Sequence, residues 1–192
     1  SRADVHNLFV RMNAKCKTAI KAEEVFVHEY HAGESDAIEL AEKLSGAGLQ
    51  IYCSHEPGGV VGDALGMRVK VGAAKKAFAL QEEALKRNPK LGTDDAVFQA
   101  TTLLKDAGLT PSREDLVPAE LLGALTIILS LNPALRGDEH DAIIFRNWMS
   151  GKLANDSPKQ VSNNFKSMGG NVVNWSEYST AVGIIKGLMQ EP

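Results

Sequence analysis

Residues 118–131 read P-A-E-L-L-G-A-L-T-I-I-L-S-L. Wound as an α-helix, this run is apolar on nearly every side, the pattern of a helix buried all round. Its apolar part, Leu121 to Leu131, falls well short of the roughly 20 residues that a bilayer-spanning helix needs, and Thr126 and Ser130 interrupt it. Asn132-Pro133 closes the run, because the residue before a proline is pushed out of helical geometry. A helix with no wet face needs amphipathic neighbours on all sides. Its flanks are therefore expected to be helical too.

Working outward supports that expectation. Upstream, Lys75 to Arg87 carries Ala77, Phe78, Ala84 and Leu85 at helical spacing, and Asn88-Pro89 stops it. Thr93 or Asp94 can cap the next helix, whose face holds Val97, Thr101 and Leu104; Gly108 followed by Pro111 ends it. Ser112, with Asp115 three residues on, makes a weak capping box for another. Downstream, Asp138 to Met149 is expected to turn Ile143, Ile144 and Trp148 inward. Ser157-Pro158 sets a cap before a proline at the first helical position, with Val161, Phe165 and Met168 as the apolar face and Gly169-Gly170 as the stop. Ser176 opens the last helix, along which Tyr178, Val182, Ile185 and Met189 fall in line.

The N-terminal third admits two readings. Val25 to Tyr30 and Leu49 to Cys53 could both be strands, with Ser35 capping a short helix (Ile38, Ala41, Leu44) between them as a βαβ unit. Val25-Phe26-Val27 could instead close a helix that begins near Asp4. Periodicity does not decide between them in runs this short. The expected fold class is mainly α: a helical bundle-like core with an N-terminal arm and at most a few short strands. Residues 1–30 are the expected oligomerisation arm, and 31–192 the helical core, with two lobes dividing near 110–137.

Bulk properties narrow the function. A chain of 192 residues, 44% hydrophobic and 23% charged, is ordinary for one globular domain. Net charge is -3 and the isoelectric point about 6.0, so any nucleic-acid site has to be a local basic patch on an acidic body. Two cysteines, Cys16 and Cys53, make no disulfide framework and lack metal spacing. The chain opens on Ser1 rather than Met, as a processed or partial chain would, and no charged-then-apolar signal run follows. A cytoplasmic protein with no membrane contact is expected.

Few residues invite chemistry. His28 and His31 lie three apart beside Glu29 and Glu34, one helical face on which two imidazoles could meet a metal, but no further ligands follow at a recognisable spacing. The glycine-rich run Glu56-Pro57-Gly58-Gly59-Val60-Val61-Gly62 could present backbone N–H groups to a phosphate, yet it matches neither nucleotide-loop pattern, and a flexible connector is the expected reading. Cys53 near His55 carries no nucleophile signature. No metal, no cofactor and no catalytic residue is expected. The exception in kind is Met67 to Lys76, M-R-V-K-V-G-A-A-K-K, where Arg68, Lys70, Lys75 and Lys76 occur without a single acid. In an extended segment Arg68 and Lys70 share a face, and Lys75 and Lys76 then fall in the first turn of the following helix. Cations at a helix N-terminus oppose its dipole, so an anionic partner is the expected compensation.

From this basic segment outward the order of features resembles the nucleoproteins of phleboviruses and their relatives. Phe26 to Leu40 (F-V-H-E-Y-H-A-G-E-S-D-A-I-E-L) is similar to a family stretch where a helix ends in Glu-aromatic, a Gly follows, and Asp-Ala opens a helix with Ile-Glu-Leu. Pro111-Ser112-Arg113-Glu114-Asp115-Leu116 is similar to the family's start of a central apolar helix, and Asn132-Pro133-Ala134-Leu135-Arg136-Gly137 has a near match there. The likeness covers roughly residues 4 to 131, and the coat proteins of flexible filamentous plant viruses share the general helical design. The resemblance implies a nucleocapsid- or coat-like viral protein that packages single-stranded RNA in a virion as a ribonucleoprotein, without sequence specificity. Arg68, Lys70, Lys75, Lys76 and Arg113 would then line the RNA path. The arm, with Val5, Leu8, Phe9 and Met12 at helical spacing, would dock on a neighbouring subunit to give a ring or helical filament. Two other readings stay open: a helical scaffold or adaptor without nucleic acid, and an enzyme or signalling domain whose βαβ start looks like the opening of a TIR-type or flavodoxin-like sheet.

Overall fold

The computed structural model describes residues 2–13, 21–53, 56, 61, 66–109 and 116–136, and singly 140, 142, 143, 146, 147, 150 and 151. In chain order it holds α1 (Arg2–Asn13), α2 (Ala22–Ala32), α3 (Ser35–Gly46), β1 (Leu49–Ile51), β2 (Met67–Val69), α4 (Val71–Arg87), α5 (Ala96–Asp106) and α6 (Ala119–Leu131), then a 3-10 turn at Pro133–Leu135. Among the described residues the fold is mainly α with two short strands, as the sequence leads one to expect.

Helix α6 is the axis of the core. Every side chain from Leu121 to Leu131 is buried, including the two polar ones. Thr126 donates its hydroxyl to the Leu122 carbonyl at 2.8 Å, and Ser130 donates to the Thr126 carbonyl at 2.6 Å. Both hydroxyls are thus satisfied within the helix, and its outer surface stays apolar. Helices α4 and α5 pack along it. The face of α4 turned inward is made largely of small residues, Ala73, Ala74, Ala77 and Ala84 with Leu80, so its backbone can approach closely.

Between α4 and α5, one buried amide makes the corner. Gln81 donates its Nε2 to the Asp94 carbonyl at 2.7 Å, and its Oε1 accepts the Val97 N–H at 2.9 Å. Val97 is the second residue of α5, where backbone donors lack a partner in the helix itself. A residue from the preceding helix thus does the work expected of Thr93 or Asp94. The residue at the cap position is Asp95, and it makes no side-chain cap bond.

The strands form a parallel pair in the register Leu49–Met67, Gln50–Arg68 and Ile51–Val69. The outer edge of each accepts one further bond: Val61 N–H donates to the Ile51 carbonyl at 3.1 Å, and Val117 N–H to the Arg68 carbonyl at 2.9 Å. The second of these ties the lead-in to α6 onto the sheet. Gly66 is required where the chain enters β2, because a Cβ there would lie 2.9 Å from the Gly48 carbonyl oxygen.

Several details differ from the sequence reading. Val25 to Val27 belong to α2, so Val25–Tyr30 is not a strand; the parallel pair is β1 with β2. Helix α2 stops at Gly33, φ +85°, where the Gly33 and Glu34 N–H groups reach back to the Tyr30 and Glu29 carbonyls. Ser35 is the first residue of α3 rather than its cap. Helix α4 begins at Val71, one turn before Lys75, and Ile143 is 46% exposed rather than turned inward. The stop at Gly108 is as expected, at φ +95°. The capping box at Ser112 and the helices expected at 157–168 and 176–189 lie outside the described residues.

Gln81→Leu keeps the bulk but leaves the Val97 N–H, on a residue 1% exposed, without an acceptor. A loss of about 1–3 kcal/mol is expected, read as a lower urea midpoint at unchanged slope.

Candidate nucleic-acid interface

The basic segment straddles the turn from β2 into α4. Alternation along β2 sends Met67 and Val69 into the core, at 2% and 0% exposure, and turns Arg68 to the other side, half-buried. Lys70 follows at the cap position of α4, extended at φ -74° and ψ 145°, with its side chain exposed. The first turn of α4 reads V-G-A-A, contains no acid, and receives no side-chain cap. Its first intrahelical bond is Ala74 N–H to the Lys70 carbonyl at 3.0 Å, so the N–H groups of Val71, Gly72 and Ala73 have no acceptor within the helix. A 17-residue helix thus starts with donors unpaired within the helix, a partial positive charge and a lysine. By stability alone a carboxylate would be preferred there.

Lys75 and Lys76 lie in the second turn of α4, not the first, and both are exposed. Lys75 lines a groove of about 330 Å³ among α2, α3 and α4, with Phe26, Leu40 and Phe78 in its apolar lining. That groove also holds Glu29, Asp36, Glu39 and Glu82 against Lys43, so carboxylates outnumber ammonium groups around Lys75. Lys43 hydrogen-bonds Glu39 at 2.7 Å, which lowers the Glu39 pKa and raises that of Lys43. The fold therefore brings Arg68 and Lys70 to one junction and gives Lys75 acidic company. Arg113 lies outside the described residues.

The parallel pairing is a juxtaposition that the sequence does not show. Tyr52 N–H donates to the Val69 carbonyl at 2.9 Å, so the carboxyl ends of β1 and β2 lie side by side. The chain leaving β1 enters the glycine-rich run, and the chain leaving β2 enters Lys70 and α4. Both segments leave from the carboxyl end of the parallel pair. Glu56, the acid of that loop, pairs with His31 of α2 (Nε2–Oε2 3.1 Å), so its carboxylate is engaged by α2. Cys53 is buried at 2% exposure. Among the described residues no group of three His, Cys, Asp or Glu side chains could hold a metal ion, and no helix is long and apolar enough to cross a membrane.

At the N-terminus, α1 packs on α2 and leaves Val5, Leu8 and Met12 at 66%, 59% and 56% exposure. Steps of three and four put them on one outward stripe. The Phe9 side chain lies outside the described residues. Comparison of the chain with protein-family models, with curated proteins and with solved structures finds no match.

Gly72 is exposed, helical, and has open space around a built Cβ. Gly72→Asp would remove a glycine from the helix and put a carboxylate in the first turn of α4. A gain of about 1 kcal/mol is expected, seen as a raised thermal midpoint.

Proposed function

We propose that this chain binds single-stranded RNA through its phosphate backbone, without reading sequence, and self-assembles as a nucleocapsid- or coat-like protein. The observation that carries the reading is the strand–helix junction, where Arg68 and Lys70 flank an uncapped, acid-free helix N-terminus. Backbone N–H groups of a helix N-terminus and neighbouring cationic side chains are donors that a phosphate takes. The resemblance of the basic segment and its neighbours to phlebovirus-type nucleoproteins supports the same reading. Its mechanism is neutralisation: each phosphate paired releases counterions, and affinity for a single strand falls by about 0.7 log units per phosphate for each tenfold rise in salt. No bond is made or broken, and no cofactor enters. The outward stripe Val5, Leu8 and Met12 would bury itself on a neighbouring copy in a head-to-tail contact, which gives a ring or a filament. Cytoplasm and virion are the compartments of such a protein.

A helical scaffold without nucleic acid is the second reading, favoured by the carboxylates around Lys75 and the net charge of -3. One preparation separates the two. On the RNA reading the purified protein carries nucleic acid, seen as excess ultraviolet absorbance beyond its aromatic content, and elutes as a ring-sized or polydisperse species. A clean monomer at low salt sinks that reading. The charge reversals Arg68→Glu, Lys70→Glu, Lys75→Glu and Lys76→Glu together should abolish RNA co-purification with the helical circular dichroism intact. Gly72→Asp should weaken RNA binding while stabilising the fold, a combination that damage to the fold does not produce. Leu8→Asp with Met12→Asp should shift the elution toward monomer at unchanged helicity.

A further inference from the structure

The N-terminal segment and one groove of the core carry opposite charge. Residues 1–21 hold five cations, Arg2, Arg11, Lys15, Lys17 and Lys21, and a single acid, Asp4. That is +4 in a chain of net -3, so the rest of the chain stands at -7. Helix α1 lies within this segment and leaves Val5, Leu8 and Met12 exposed in one stripe. Apolar side chains exposed in line mark a contact surface more readily than the same residues scattered singly. Asp4 and Arg11, both exposed, border the stripe, and from Arg11 to Lys21 the sequence has no acid.

The groove among α2, α3 and α4 is the complementary surface. Its apolar lining includes Leu40 and Phe78, each half-buried, and Ala79, which is exposed. Four carboxylates and two ammonium groups share that lining, and the Glu39–Lys43 pair neutralises itself at 2.7 Å. Glu29, Asp36 and Glu82 then stand against Lys75 alone, a net of -2. Such a lining repels a phosphate backbone, and a neutral apolar ligand leaves its charge unanswered. A basic amphipathic helix answers both the apolar floor and the acidic rim.

We propose that this groove receives helix α1 of a second copy of the chain. The inference rests on the self-assembly part of the reading above, not on its RNA part, and names the surface that the stripe meets. Within one chain α1 packs on α2, and no described residue of α1 lines the groove, so a chain does not fill its own. Stripe against stripe would bring two basic segments together, which their charge opposes. Stripe in groove buries Leu8 and Met12 against Leu40 and Phe78 and sets cations against carboxylates. Each copy then offers one α1 and one groove. Two different surfaces make a head-to-tail contact, and the array grows unless a ring closes it.

The test uses two full-length variants, each altered only at exposed positions, after nuclease treatment to remove any bound strand. Leu8→Asp with Met12→Asp spoils α1 and keeps the groove. Ala79→Lys with Glu82→Lys spoils the groove and keeps α1. Mass is read by light scattering on a sizing column, and helicity by circular dichroism. The parent chain should run as an oligomer and each variant as a monomer. Mixed in equal amounts, the variants should give a species of twice the monomer mass and nothing larger. One intact α1 meets one intact groove there, and both remaining surfaces are spoiled. That rescue also shows that both variants fold; if either loses helicity, the gentler Met12→Ser and Glu82→Gln repeat the comparison. Either variant assembling like the parent overturns the match and leaves self-assembly to another surface, as it would if the groove served a different protein. Monomeric variants that do not pair on mixing overturn it as well. A monomeric parent chain overturns this inference together with the self-assembly reading.

Discussion

Helix α6 has no side that tolerates water, and the rest of the chain is arranged to answer that constraint. Its interior hydroxyls bond back to their own helix, so no neighbour has to supply a polar group. The alanine-rich face of α4 lies close along it, and α5 covers another side. Apolar burial stabilises by about 25 cal/mol per Å², so an element buried on every side contributes strongly to folding. The price is that its neighbours cannot slide: Gln81 holds the start of α5, and Arg136 ties the end of α6 to the Leu91 carbonyl.

The short parallel pair is the second consequence. Two strands alone leave two unpaired edges, and here each edge receives one bond, from Val61 and from Val117. The Val117 bond also sets where α6 begins relative to β2. The lead-in to the apolar helix and the basic strand are thus held together by one N–H. The same parallel arrangement places the carboxyl ends of β1 and β2 side by side.

Charge is distributed unevenly around this frame. The first turn of α4 holds no acid and follows Arg68 and Lys70, whereas the groove beside α3 and α4 collects carboxylates around Lys75 and Lys43. Helix α4 departs from the usual preference for acids at its N-terminus. A local departure of that kind, in a fold otherwise consistent with its propensities, is what sites of function tend to look like.

Much of this was legible beforehand. The all-round apolarity of residues 121–131 identifies the central helix, and Asn88-Pro89, Gly108 and Asn132-Pro133 mark its neighbours' ends and its own, because glycine and proline act on the backbone wherever they stand. The absence of acids from Met67 to Lys76 marks the candidate site. The N-terminal third was not legible, since a run such as Val25-Phe26-Val27 suits a helix or a strand equally until its neighbours choose. Nor could spacing reveal that Gln81 caps α5, or that Lys75 meets Glu29 and Glu82. Periodicity is a property of each segment and survives in the sequence. Adjacency comes from packing, which joins residues far apart along the chain, and only the tertiary structure decides it.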